Sequence, residues 1–154
     1  MGLKYNLGCG DTKKPGFVNV DISDKSHPDI VADLKVFPWD WMEDGAERIE
    51  SDNYLEHCTP EDLIATINEA HKKMASGGIL WIRVPLLKLD AEHIDGAFTD
   101  PTHRNYFTMG SFDYWDINHQ RHHSFGKDYG ILPWERIRNE DYPPKFLIVE
   151  LMRP

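Results

Sequence analysis

Lys4-Tyr5-Asn6-Leu7-Gly8-Cys9-Gly10-Asp11, followed after a short gap by Val18-Asn19-Val20-Asp21, decides how this chain is read. A short apolar strand runs into a loop with two glycines, and a second strand ends on an acid. In open parallel α/β sheets ligands sit outside the carboxyl ends of the strands. Glycines let the first loop's backbone approach the ligand, and an acid at the second tip accepts from ribose hydroxyls. The expectation is an adenosine-type cofactor.

A dinucleotide is the usual occupant of such a loop, but its fingerprint needs a third glycine and a helix whose N-terminus faces the pyrophosphate. Lys13 stands at the third position, and Pro15 and Gly16 leave room for about one helical turn before Val18. Asp21 also follows Gly10 too closely for the dinucleotide pattern, which places its acid about 20 residues on. Asp11 sets a negative charge where phosphates would lie. A cofactor with an ammonium group and no phosphate fits better, and a nicotinamide-dependent oxidoreductase remains as a lesser alternative.

Further along stand Asp29-Ile30-Val31-Ala32-Asp33-Leu34, Leu55-Glu56-His57 and Ser76-Gly77-Gly78-Ile79-Leu80. With Asn6–Gly10 and Pro15–Asp21 they make five pieces in order, and together these resemble the class I S-adenosylmethionine-dependent methyltransferases, in a small branch with a compressed first crossover (methyltransferase type 11-like). The resemblance is good over about residues 3–86 and looser at Asp100-Pro101-Thr102-His103 and Tyr106-Phe107-Thr108. It implies a Rossmann-like α/β sheet, mostly parallel, with a C-terminal antiparallel strand pair and minimal helices. It also implies S-adenosylmethionine as cofactor and transfer of a methyl group to an acceptor.

The residues themselves give Gly8 and Gly10 an approach to the methionine moiety, Asp11 its ammonium, and Asp21 the ribose. The resemblance extends the binding set to Asn6, Cys9, Ile22, Asp33, Leu34, Asn53, Tyr54 and His57. Asp33 would accept from the adenine amino group, with the Leu34 amide against the ring. Asn53–His57 would line the methionine end and the floor of the acceptor pocket.

Methyl transfer from a sulfonium is an in-line displacement, so alignment supplies most of the catalysis. A base is needed only for a hydroxyl or a protonated amine, and histidine has the natural pKa for it. His57 and His103 are the two candidates. His119, His122 and His123 lack carboxylate or thiol spacing of a recognised kind, so no metal site is expected.

The chain has 154 residues, enough for one domain, residues 1–154, with about 97–125 as a lid or a sheet-covering insertion. Net charge is −9 with histidine neutral, which disfavours a nucleic-acid substrate or a basic membrane contact. A small-molecule acceptor, saccharide-linked in one version, is expected; protein acceptors stay open. Cys9 and Cys58 are too few for a disulfide scaffold and read as reduced thiols. The sequence shows no signal-like segment and no long apolar run, so a cytoplasmic location is expected.

Strands are expected near Lys4–Leu7, Val18–Asp21, Asp29–Ala32, Arg48–Asp52, Ile79–Val84, Ile131–Arg138 and Phe146–Leu151, the last two joined through Tyr142-Pro143-Pro144. A helix should begin at Thr59-Pro60 and bury Leu63, Ile64, Ile67, His71 and Met74, with Ser76-Gly77-Gly78 ending it. The short crossovers leave one sheet face thinly covered. Phe37, Trp39, Trp41 and residues 97–125 must cover it, or a second copy in a homodimer. The same brevity supports an alternative function, a catalytically silent module that partners a larger enzyme.

Overall fold

The computed structural model describes residues 2–88, 95–143 and 145–154. It holds one seven-stranded sheet: β1 Lys4–Leu7, β2 Val18–Asp21, β3 Ile30–Val31, β4 Ala46–Asp52, β5 Met74–Pro85, β6 Glu135–Tyr142 and β7 Phe146–Met152. The order across it is β3-β2-β1-β4-β5-β7-β6. Strands β1 to β5 pair in parallel, while β5–β7 and β7–β6 are antiparallel. The chain moves outward through β1, β2 and β3, then returns to place β4 beside β1. That reversal opens a crevice at the strand tips.

The helix α1 spans Pro60–Lys73. Thr59 caps it by accepting from the Asp62 amide, and Pro60 occupies the first turn, where a missing N–H costs nothing. Leu63, Thr66, Ile67, Glu69 and Ala70 are its buried residues, whereas Ile64 and His71 are only half-buried. The helix does not run to the glycines. Met74 is already extended, its amide bonded to the Ala70 carbonyl, and it opens β5. Gly77 and Gly78 therefore lie inside the strand, where Gly77 donates to Arg153 and a side chain on Gly78 would press on the Ala46 carbonyl at 2.8 Å. Gly78 serves close backbone approach and Gly77 a left-handed φ of 79°, rather than helix termination.

Strand β6 also differs from expectation. Ile131 and Trp134 are buried in the core, and pairing begins only at Glu135, opposite Met152. Apolar content marked the wrong end of this segment because β6 is a mostly charged edge strand whose register follows from its hairpin with β7. Of the expected connection, Pro144 lies outside the described residues. Strand β3 is shorter than expected, and Asp29 just before it grips Asn19 twice, its amide donating to the Asn19 carbonyl at 2.8 Å and its carboxylate accepting from the Asn19 amide at 2.7 Å.

Register separates the two faces sharply. One face carries the aligned rows Val18–Tyr5–Ile49–Leu80–Leu151 and Val20–Leu7–Ser51–Ile82–Val149. It packs against α1, Trp39, Phe107, Phe112, Trp115, Ile131 and Trp134 in one core. Trp39 is fully buried and locked there, its backbone amide on Glu69 and its indole N–H on the Leu34 carbonyl. The other face carries the row Asn19–Asn6–Glu50–Trp81–Glu150. It is closed by ion pairs: Lys14 to Glu50 at 2.5 Å, Arg48 to Glu50 at 2.5 Å and to Glu150 at 3.4 Å, and Arg83 to Asp52 at 2.6 Å. Lys14 also lies over the Trp81 ring at 4.9 Å. Parallel sheets ordinarily bury both faces under helices. Here charge pairing does that work on one side, which is why the crossovers after β1, β2 and β3 can be loops.

These pairs make an acid-side prediction. Burial raises the Glu50 carboxyl, but hydrogen bonds from Lys14 and Arg48 outweigh it and leave it below the model-compound value of 4.5. A carboxyl depressed in the folded state contributes stability that is full above its unfolded value and is lost as pH falls through the folded one. Urea midpoints should therefore drop below about pH 4.5. Glu50→Gln should flatten that drop and cost about 1–2 kcal/mol at neutral pH, the range for hydrogen bonds to charged groups reduced by partial exposure. An unchanged acid limb in Glu50→Gln would remove the pair from the ledger.

Candidate functional site

The crevice at the tips of β1, β2, β3 and β4 holds two adjoining cavities that share Gly8. The first, about 310 Å³, is lined by Gly8, Asp21, Ile22, Ala32, Asp33, Leu34, Lys35, Tyr54 and His57. The second, about 200 Å³, takes in Asn6, Gly8, Cys9, Gly10, Asp11, Thr12, Lys14, Asp52, Asn53 and Arg83. The structure thus gathers every expected cofactor residue along one crevice. Lys14, Asp52 and Arg83 were not anticipated. They come from neighbouring strand ends and from a lysine beyond the glycines, and only the pairing of β4 with β5 brings them in.

Backbone geometry explains the loop. Gly8 and Gly10 have φ of 62° and 46°, the left-handed region that glycine enters freely. Asp21 holds the loop from the next strand: one carboxylate oxygen accepts from the Gly10 amide at 2.8 Å and the other from the Ser23 amide at 2.9 Å. Each oxygen keeps a further lone pair, so the same carboxylate can face a diol. Asn6 spends its amide hydrogens on the Thr12 carbonyl and on Asn19, both at 3.0 Å, and so shapes the loop from beneath. The Cys9 side chain is buried, and burial, helped by Asp21, pushes its thiol pKa up.

On the other side, Ile22 is 66% exposed, an apolar platform with no core to fill. Asp33 is exposed and accepts from the Lys35 amide at 2.9 Å, which leaves its second oxygen for a ligand. The Leu34 side chain belongs to the core, so only its backbone faces the cavity. Tyr54 floors the crevice under Gly8, and burial drives its phenol pKa far upward. Asn53 has φ of 52° and donates its amide to Arg83.

A third recess, about 630 Å³ and wide open, adjoins through Asn53 and His57. Its lining is Asn53, Glu56, His57, Pro85, Thr99, Asp100, Pro101 and His103. The segment after the short helix α2, Asp95–Thr99, crosses back over the tip of β4. The Arg104 and Asn105 amides donate to the Glu56 carbonyl, and the Asn105 side chain donates to Cys58, at 2.5 Å. These bonds bring His103 to His57, edge to face with ring centroids 4.9 Å apart. Glu56, quoted in the sequence only as part of a motif, lies with them and is 2% exposed. Burial pushes its carboxyl up to about 7, against the pull of its own amide and of His103.

His119, His122 and His123 do not converge on a site: His119 faces Asp113 at 3.5 Å, and His122 bonds the Tyr114 carbonyl at 2.7 Å. A separate apolar cavity of about 360 Å³ opens between α1 and residues 105–131. Its described lining holds Arg121 and several hydroxyls but no carboxylate or histidine. Cys9 and Cys58 are both buried free thiols. No described helix is long and apolar enough to cross a membrane.

On the expectation that Asp21 binds a ribose diol, Asp21→Ala should weaken adenosine-cofactor binding by about 1–3 kcal/mol, the Gly10 amide losing its acceptor as well. Isothermal calorimetry measures it, and equal affinity would remove Asp21 from the site.

No protein-family profile and no curated protein matches the chain in sequence. Solved structures do match in fold. An S-adenosylmethionine-dependent methyltransferase from Mesorhizobium loti superposes with a TM-score of 0.61 at 15% identity, over 99% of this chain and 91% of that one. One from Archaeoglobus fulgidus gives 0.62 at 14% identity, over 98% and 86%. A methyltransferase in complex with the Trm112 methyltransferase activator of Haloferax volcanii gives 0.62 at 13%, over 99% and 83%. With this strand order, the antiparallel pair at its end and a crevice at the β1/β4 reversal, the chain has the class I S-adenosylmethionine-dependent methyltransferase fold.

Proposed function

We propose that the chain binds S-adenosylmethionine in this crevice and transfers its methyl group to a small-molecule acceptor held in the His57–His103 recess. The arrangement of charge around Gly8 and Gly10 carries the reading. Asp11 and Asp52 stand with Lys14 and Arg83 around one small cavity, which suits both ends of an amino-acid zwitterion. The adjoining cavity offers Asp21 for a ribose diol, Ile22 for the face of a base and Asp33 for its amino group. Asp11 and Asp52 oppose the phosphates of a dinucleotide.

Transfer needs the acceptor atom in line with the methyl carbon and sulfur. A bond forms from acceptor to carbon while the carbon–sulfur pair returns to sulfur, leaving S-adenosylhomocysteine. His57 or His103 takes the acceptor's proton when it is a hydroxyl or a protonated amine. Glu56 and Asp100 make the recess acidic, which favours a neutral or cationic acceptor, such as a saccharide-linked metabolite, over a phosphate-rich one. Residues 97–125 then serve as lid or cover in a single domain that works in the cytoplasm.

The second reading, a silent partner module, draws support from the loop-like crossovers. Parallel calorimetric titrations with S-adenosylmethionine, S-adenosylhomocysteine and NAD test both. Micromolar binding of the first two alone is expected. Silence from all three favours the module, and NAD binding overturns the cofactor assignment. Once an acceptor is in hand, His103→Ala should lower kcat by about 100-fold, the usual contribution of a general base, with cofactor affinity retained. Loss of affinity alone would make His103 a cofactor contact.

A further inference from the structure

We propose that Glu56, His57 and His103 form a binding site for one divalent transition-metal ion, a face of two imidazole nitrogens and one carboxylate at the floor of the acceptor recess. One ligand atom from each lies within 4.8 Å of the others. The hydrogen bonds fix which ring nitrogens are free. His103 Nδ1 lies 2.7 Å from the Ala97 carbonyl, which only accepts, so Nδ1 carries the hydrogen and Nε2 is bare in the neutral ring. The Thr102 hydroxyl spends its hydrogen on Asp100 Oδ1 at 2.6 Å, so at 2.9 Å it must accept from His57 Nδ1. His57 Nε2 is bare as well.

Both bare nitrogens belong to rings gathered beside the Glu56 carboxylate, which is 2% exposed. Glu56 Oε1 is 4.0 Å from His57 Nε2, too far for a hydrogen bond, and Glu56 Oε2 has no hydrogen-bond partner among the described residues. Glu56 Oε2, a buried acceptor without a partner among the described residues, beside two part-exposed imidazoles, suits a cation. The surroundings match what metal-binding histidines use, with each Nδ1–H held by an oxygen that fixes ring and tautomer, and with Thr102 backed by a carboxylate. Asp100 Oδ2, 3.8 Å from His103 Nε2, adds negative charge at the rim. Mixed nitrogen and oxygen donors suit zinc, iron(II), cobalt(II) or manganese(II), with positions left open toward the recess. Ligands about 2.0–2.2 Å from an ion lie closer together than these, so the three side chains would close inward on binding.

Metal binding stands apart from the cofactor reading; only the ion's role rests on it. With the ion bound, His57 and His103 would be ligands in place of the base role given above, and an acceptor hydroxyl on the ion would lose electron density to it so that the proton leaves to solvent. The oxygen then bonds to the methyl carbon as the carbon–sulfur pair returns to sulfur, giving a methyl ether.

The test uses the full chain stripped with chelator and titrated with cobalt(II), read by visible absorption, and with zinc(II), read by calorimetry, both without cofactor. One equivalent bound at micromolar or tighter is expected, with zinc displacing cobalt. Glu56→Gln and His103→Ala should each weaken binding at least tenfold, and Thr102→Ala by a smaller factor through His57, while His119→Ala leaves it unchanged. Should Glu56→Gln fold poorly, His57→Asn replaces it. Binding below half an equivalent, or equal affinity in all variants, overturns the proposal. S-adenosylmethionine titration of the stripped chain is scored separately, so an ion without cofactor sinks only the methyltransferase reading, and cofactor without an ion sinks only this one.

Discussion

Gly8→Val should abolish S-adenosylmethionine binding, a loss of more than about 100-fold by calorimetry. Two independent effects act together. At φ of 62° a β-branched side chain is strained, at about 1–3 kcal/mol. A Cβ at position 8 would also lie 3.3 Å from Tyr54 Cβ and Cδ2, before the valine methyls are added. Tyr54 is half-buried in the floor and has little room to retreat, so the loop must move. It would move across the space shared by the two cavities. The melting temperature should fall by several degrees, in line with that strain, with the circular dichroism of the folded chain preserved. Normal binding by the variant would mean that the ligand does not pass over Gly8.

Trp39→Ala should cost about 3–5 kcal/mol in urea denaturation, as for other fully buried large aromatic residues. Typical domains have only about 5–15 kcal/mol in total. Trp39 has no exposed surface, and its indole lies beside Phe37 and Trp41 with centroids 6.0 and 5.4 Å away. Truncation leaves a cavity between the sheet and α1 and strips the Leu34 carbonyl of its indole donor, 3.0 Å away. Because Leu34 follows Asp33, the Asp33 side of the crevice should loosen too, so on the proposed function cofactor affinity and stability fall together. A loss below about 1 kcal/mol would show that this face collapses readily around the gap.

Local chemistry made part of this molecule legible. Strands β1 and β2 match expectation at both ends because glycine, proline and acid mark their limits in the sequence, and α1 begins where Thr59 and Pro60 place it. Strands β5 and β6 were harder for opposite reasons. Gly77-Gly78 looks like a helix stop, yet Gly78 sits where the Ala46 backbone crowds it, and that crowding exists only once the sheet has formed. Charged β6 has no alternation to read. In the site, Gly8, Gly10 and Asp21 could be placed from strand ends alone, and Asp33 through the family resemblance. Glu56 could not, since what matters is its inward direction and its meeting with His103 across 47 positions of chain, held by amides of Arg104 and Asn105. Lys14, Asp52 and Arg83 were hidden likewise, as ordinary surface charges until sheet register aligns them.

The ion-paired face of the sheet bears on how such a protein could change. Helices that shield a sheet occupy length and restrict what can be inserted or lost beside them. A surface satisfied by Lys14, Arg48, Glu50, Arg83 and Glu150 imposes no such obligation, so the first half of the chain can stay short. Docking another chain on that surface would strip water from every charge. Exchange Glu50 and Arg48 together for aliphatic residues, and the patch around Trp81 would become adhesive. The charges that let the fold be small are thus also what a few codon changes would turn into a contact surface.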